Sequence, residues 1–204
     1  MKNIAVVLFA FVLLSSCAGN NKRIYVMSKG PAQYDEAAKT ISAKDGNGHE
    51  EKIINISSAE VALKLNGPTG EASVNFKENG LYVINIKNDT IIGSKKNYIT
   101  PKLQKDIMTQ DELKVKIDSL VDLTTGKNIS AANHNFFILP NQAAKITDNL
   151  DAIIVGPFHQ MTTAERVDGK EPEVYRFYSI REIRETIAKL NGFTKPSIEA
   201  VIKH

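Results

Sequence analysis

The spacing of apolar and polar positions changes several times along the chain, and each change predicts an element. Ile4 to Leu14 is an unbroken apolar run, and Arg23-Ile24-Tyr25-Val26-Met27 is a second, shorter one that predicts a strand. From Pro31 to Ser42, Tyr34, Ala37, Ala38 and Ile41 recur at helical spacing and predict a short helix. Lys44-Asp45-Gly46-Asn47-Gly48-His49 is a loop by its turn formers. The period then drops to two. Ile53, Ile54 and Ile56 mark a strand over Lys52 to Ser57; Val61, Leu63 and Leu65 mark a second, and Ala72, Val74 and Phe76 a third, with a turn at Asn66 to Gly70. Glu78-Asn79-Gly80 is a hairpin signal, because Asn and Gly tolerate positive φ. Strands at Leu81 to Lys87 and Thr90-Ile91-Ile92 flank an Asn88-Asp89 turn. An antiparallel meander with one solvated face is the expectation for this stretch.

Thr109 and Glu112 form a capping box, and Leu113, Ile117, Leu120 and Val121 make one apolar stripe behind it, with Gly126 suited to the stop. Strands resume at Asn135 to Leu139, Ala143 to Thr147 and Ala152 to Val155, the last ended by Gly156-Pro157. Met161 to Pro172 is a polar loop and Glu173 to Tyr178 a strand. Ser179 with Glu182 caps a final helix, whose Ile183, Ile187 and Leu190 face inward and which closes at Asn191-Gly192. Short strands with two or three helices give an α+β, mainly β domain, and an antiparallel β-sandwich-like architecture is the expectation. Residues 23–204 are read as one domain; Lys95 to Asp106, interrupted by Pro101, is the best internal boundary.

Charge narrows the function classes. The formal net charge is +3 with acids and bases interspersed. No basic stripe with interleaved aromatics exists, so nucleic acid is not an expected partner. Cys17 is the only cysteine, which removes intrachain disulfides and cysteine-based metal sites.

Cys17 also gives the most specific signal in the chain. Lys2 precedes the apolar run, the run is far shorter than the ~20 residues of a membrane span, and Leu14-Ser15-Ser16-Cys17 closes it. An ordinary secretory signal cleaved elsewhere, or a short buried helix, would share the length. The four residues resemble the lipobox of bacterial lipoproteins, a resemblance confined to the first twenty or so residues. It implies removal of residues 1–16, acylation of Cys17 and anchoring in a lipid bilayer, stable once two or more chains are attached. Ala18, where lipoproteins retained in the inner membrane often carry Asp, leans toward the outer membrane. The lack of an acidic run after Cys17 leans toward its periplasmic face. Residues 17–22 are then a lipidated tether; the five residues after Cys17 span at most ~18 Å.

The body offers weaker chemistry. Its histidines are His49, His134, His159 and His204, with no His-x-His or His-x₃-His spacing, so neither a metal nor a cofactor is expected. Gly-x-Ser-x-Gly, Ser-x-x-Lys and His-Glu-x-x-His are absent, and no residue is assigned a catalytic role. Phe158 and His159 follow a strand end and open the polar loop that carries Glu165, Arg166 and Asp168. With Tyr175 on the next strand, they are the candidate contacts to a ligand or partner, against the plainer reading of a solvated loop and a core aromatic. The expected role is a membrane-anchored, non-catalytic binding module of the cell envelope, with an envelope protein or glycan as partner. An envelope hydrolase and a structural subunit of an outer-membrane assembly are the alternatives.

Overall fold

Two strands carry apolar residues at consecutive positions, and the fold is organised around them. β1 (Asn21–Ser28) and β7 (Gly80–Asn85) pair in parallel, with Ile24 opposite Tyr82 and Val26 opposite Ile84. β4 (Glu50–Ser57) and β10 (Gln142–Thr147) complete their sheet in the order β10-β7-β1-β4. The computed structural model describes residues 20–98, 109–127, 129–130, 132–159, 161, 164–166 and 169–194. The lipobox with Cys17, Asp168, most of the Lys95–Asp106 boundary and the tail from Pro196 lie outside these residues.

Consecutive burial means that both faces of β1 and β7 are covered. Ile24, Val26, Tyr82 and Ile84 share one apolar cluster with Ile41, Val61, Leu63, Leu65 and Phe76. Those residues belong to a second sheet of β2 (Ala32–Asp35), β3 (Thr40–Ala43), β5 (Val61–Gly67) and β6 (Gly70–Phe76), ordered β2-β3-β5-β6. Tyr25, Met27, Leu81 and Val83, the alternate positions, share another cluster with Ile91, Phe136, Ile138, Ile154, Tyr175 and Phe177. These come from a third sheet of β8 (Ile91–Lys96), β9 (Asn135–Ile138), β11 (Ile153–Val155) and β12 (Val174–Ser179), ordered β11-β12-β8-β9. The two helices among the described residues, α1 (Gln110–Thr124) and α2 (Ile180–Thr194), pack on each other, and α2 also contacts β12. The chain is therefore mainly β with two helices.

Pairing is mixed, not antiparallel throughout: β1–β7, β3–β5 and β11–β12 run parallel. The expected meander is absent, because only β5 and β6 pair as chain neighbours within it. Glu78-Asn79-Gly80 is not a hairpin turn; it carries the chain from β6 in one sheet to β7 in another. Gly80 is needed there for a different reason. It sits at φ +136°, and a Cβ would lie 2.7 Å from the Thr147 carbonyl of β10.

The helix expected over Pro31 to Ser42 is a hairpin of β2 and β3. Tyr34 and Ile41, seven residues apart, are cross-strand partners on the core side. Ala37 and Ala38 are exposed in the turn. Asp35 accepts a hydrogen bond from the Ala38 amide, and Lys39 takes φ +50°, so local turn chemistry displaces the helix. β1 also begins earlier than expected. β1 starts at Asn21, and Lys22 is buried with its ammonium donating to the Ser58 and Ala59 carbonyls.

Both helix starts carry their capping boxes. Thr109 Oγ1 accepts from the Glu112 amide and Glu112 accepts from the Thr109 amide. Ser179 and Glu182 do the same for α2. On α1 only Leu113 and Ile117 of the expected stripe are buried, and Val121 is exposed.

Ile84→Ala in β7 is expected to cost about 2–5 kcal/mol, as a fully buried aliphatic truncation does. Ile53→Ala, on an exposed position of edge strand β4, should stay within about 0.5 kcal/mol. Chemical denaturation of both variants checks the assignment of inner and outer strands.

Candidate functional site

β4 is an edge strand of the central sheet, and the segment entering it brings two chemically active side chains to one corner. His49 immediately precedes β4 and Glu51 is its second residue, paired with Met27 of β1. The turn after β11 delivers His159 to the same place. His49 Nε2 lies 2.8 Å from Glu51 Oε1, and His159 Nδ1 lies 3.3 Å from that same oxygen. The two imidazoles meet edge to face with centroids 5.6 Å apart. The side chains of His49 and Glu51 are 4 % and 19 % exposed, whereas that of His159 is 60 % exposed, so the corner is closed behind and open in front.

The turn itself is held by a network. Arg176 Nη1 donates to the Gly156 carbonyl, and the His159 amide donates to that carbonyl as well. Glu182 accepts from the Phe158 amide through Oε1 at 2.9 Å and from the Ser179 amide through Oε2 at 2.8 Å. The glutamate that caps α2 thus also pins the turn. Phe158 is held at φ +65°, a conformation that costs a bulky L-residue about 1–3 kcal/mol. Its ring is half exposed and lies near His49. A Cβ at Gly156 would overlap the Glu51 carboxylate and approach His49 Nε2 to 2.8 Å, so a larger residue there requires those side chains to move.

Lys87 backs the corner. It is buried, with Nζ 3.4 Å from His49 Nδ1 and 5.7 Å from the Phe158 ring centroid. Burial pulls its pKa below the ordinary lysine range, against opposing attraction from Asp89 and Glu182. With the ammonium donating to Nδ1, the His49 proton sits on Nε2 and is donated to Glu51. With a neutral Lys87 amine accepting from Nδ1, the Nε2 lone pair is free. The arrangement can therefore share protons or offer two imidazole nitrogens and a carboxylate oxygen to a cation. Those three donor atoms lie within 4.8 Å of one another.

Of the residues expected to contact a ligand, Phe158 and His159 are in this corner. Glu165 and Arg166 are exposed, and Arg166 pairs with Glu171 at 3.5 Å; among the described contacts neither reaches His159. Asp168 and Cys17 lie outside the described residues. Tyr175 is corrected to a core residue: it is fully buried and packs edge to face on Phe136. Its hydroxyl donates to Glu173 at 2.6 Å. The plainer reading of the strand as one core face fits it. His49, Glu51 and Lys87 were not singled out by the sequence, since their spacing to His159 carries no metal or catalytic pattern. The only available signal was His159 at a strand end. No family model, curated protein or solved structure matches the chain.

Gly156→Ala should disorganise the corner. An added Cβ forces the Glu51 carboxylate aside, with a loss of about 1–3 kcal/mol typical of overpacking. Thermal denaturation and the imidazole NMR signals of His49 and His159 would register it. A second prediction concerns pH. Burial alone would raise the Glu173 carboxyl, but hydrogen bonds from Tyr175, Lys95 and Asn149 outweigh it and hold the group below the ordinary glutamate range. Tyr175 is raised, first by burial and then by that same carboxylate. The Glu173 contribution is present above the unfolded glutamate pKa and lost as pH falls through the lower folded value. The Tyr175 contribution is present below the ordinary tyrosine pKa and lost as pH rises above it. Denaturation across pH should show both limbs; Glu173→Gln should abolish the acid limb and reduce the alkaline one, whose first cause, the burial of Tyr175, remains.

Proposed function

We propose that this chain is a lipid-anchored protein of the bacterial cell envelope, held by acylated Cys17 at the periplasmic face of the outer membrane. Its body acts there as a non-catalytic binding module. The address rests on the Leu14-Ser15-Ser16-Cys17 lipobox, the short run before it and Ala18 after it. The two apolar clusters on opposite faces of the central sheet support a sandwich-like stacking of the three sheets.

One observation carries the binding reading. His49, Glu51, Phe158 and His159 come from two distant segments, yet they converge on a corner whose front is open to solvent. The strained Phe158 is a cost that packing alone does not require, and Gly156 leaves room for the Glu51 carboxylate beside it. Envelope proteins and glycans are the partner classes that an outer-membrane anchor brings within reach. The hydrolase reading is favoured by one feature, the 2.8 Å His49–Glu51 pair, which is an acid–base pair in reach of solvent through His159.

Cys17→Ala should move the protein from the membrane fraction to the soluble fraction. Cross-linking in intact cells followed by purification of the lipidated protein should recover a partner. Phe158→Gly, which relieves the positive φ, combined with His159→Ala should lose that partner while the protein stays membrane-bound. A Cys17→Ala protein that remains anchored would defeat the address, and undiminished capture by the double variant would defeat the site.

A further inference from the structure

We infer that the corner formed by His49, Glu51 and His159 is a binding site for a divalent first-row transition-metal cation. This rests on the reading that the corner is the ligand-facing site, and it names the ligand.

The donor chemistry selects the class. Two imidazole nitrogens and one carboxylate oxygen suit zinc and its neighbours, whereas calcium and magnesium require mostly oxygen donors. In a tetrahedral site with bonds of ~2.0–2.1 Å, neighbouring donor atoms lie ~3.3 Å apart. His159 Nδ1 and Glu51 Oε1 are already 3.3 Å apart. His49 Nε2 and Glu51 Oε1 are 2.8 Å apart, a hydrogen bond that opens slightly when a cation replaces the shared proton. All three atoms lie within 4.8 Å of one another, so modest side-chain adjustments bring them around one cation.

The surroundings are those of a built site. Glu51 is fixed on a strand paired to the central β1, and His49 is buried beside it. Gly156 leaves room where a Cβ would fill the space between them. The backbone carrying His159 is clamped by Arg176 and Glu182. The solvent-open side leaves a fourth coordination position for water or for a donor from a partner. Phe158 borders that opening as an apolar wall. Three protein ligands with an open position is the pattern of sites that bind or activate an exogenous group, in contrast to closed four-ligand structural sites. Lys87 Nζ lies 3.4 Å from Nδ1, the far nitrogen of His49.

The test uses the full lipidated chain in detergent, prepared without a polyhistidine tag and stripped with chelator. Zinc titration by calorimetry should show one ion per chain, and cobalt substitution should give the visible absorption of a low-coordinate cobalt site. His159→Ala, at an exposed position that leaves the core intact, should weaken zinc roughly 10-fold or more, as loss of a ligand does at least as strongly as loss of its supporting partner. Glu51→Gln should do likewise. Absence of stoichiometric zinc, or the same zinc affinity in both variants as in the parent, overturns the metal inference. The binding reading is judged separately. If zinc does not bind but His159→Ala still loses the cross-linked partner, the corner remains a binding site without a metal.

Discussion

The burial of both faces of β1 and β7 is the constraint from which the rest of the structure follows. A strand covered on both sides disfavours an unpaired polar group, because desolvation of such a group costs more than a typical hydrogen bond returns. Polar side chains therefore collect at the strand ends. Lys22 at the start of β1 donates to two carbonyls. Asn85 at the end of β7 donates to the Asp89 and Ile138 carbonyls and accepts from the Lys87 amide. The corner with His49, Glu51 and Lys87 belongs to that same end of the central sheet. Chemistry is confined to the rim because the middle cannot hold it.

The rim is made rigid by a few residues that serve two structural purposes. Glu182 is the clearest. One carboxylate oxygen completes the start of α2, and the other holds the Phe158 amide. Arg176 lies within 3.8 Å of Glu182 and donates to Gly156, so β12, α2 and the turn after β11 form one unit. Loosening the cap would release the His159 backbone as well. The strain at Phe158 is sustained because several bonds fix the turn from different elements, and a single one would not hold it.

How far the sequence disclosed this depended on the range of the interaction involved. Both capping boxes were legible, since Thr109–Glu112 and Ser179–Glu182 are complete within four residues. Most strands were legible from their period. The order of the strands was not, because β1, β4, β7 and β10 are joined through two other sheets and their pairings leave no local mark. Tyr34 and Ile41 show the limit of periodicity: seven residues apart, they fit two helical turns or the two arms of a hairpin equally well. The corner was half legible. Gly156-Pro157-Phe158-His159 marked a strand end, but its distance from His49 and Glu51 in sequence hid the cluster. Glu182 could be read as a cap and not as a clamp. Tyr175 misled because an aromatic strand residue looks the same in sequence whether it faces solvent or a sheet.

The geometry of β1 gives its start and the corner a fixed relation. Asn21 starts the strand, and Met27, six residues later, is opposite Glu51. At ~3.3 Å per residue, ~20 Å of strand separates the start of β1 from the site. The His49–Glu51–His159 corner therefore lies at the end of β1 opposite to Asn21. In the lipid-anchored arrangement proposed above, an acylated Cys17 would set the start of β1 toward the bilayer and leave the open corner at the far end of the strand, the side from which a periplasmic partner or a dissolved cation would reach it.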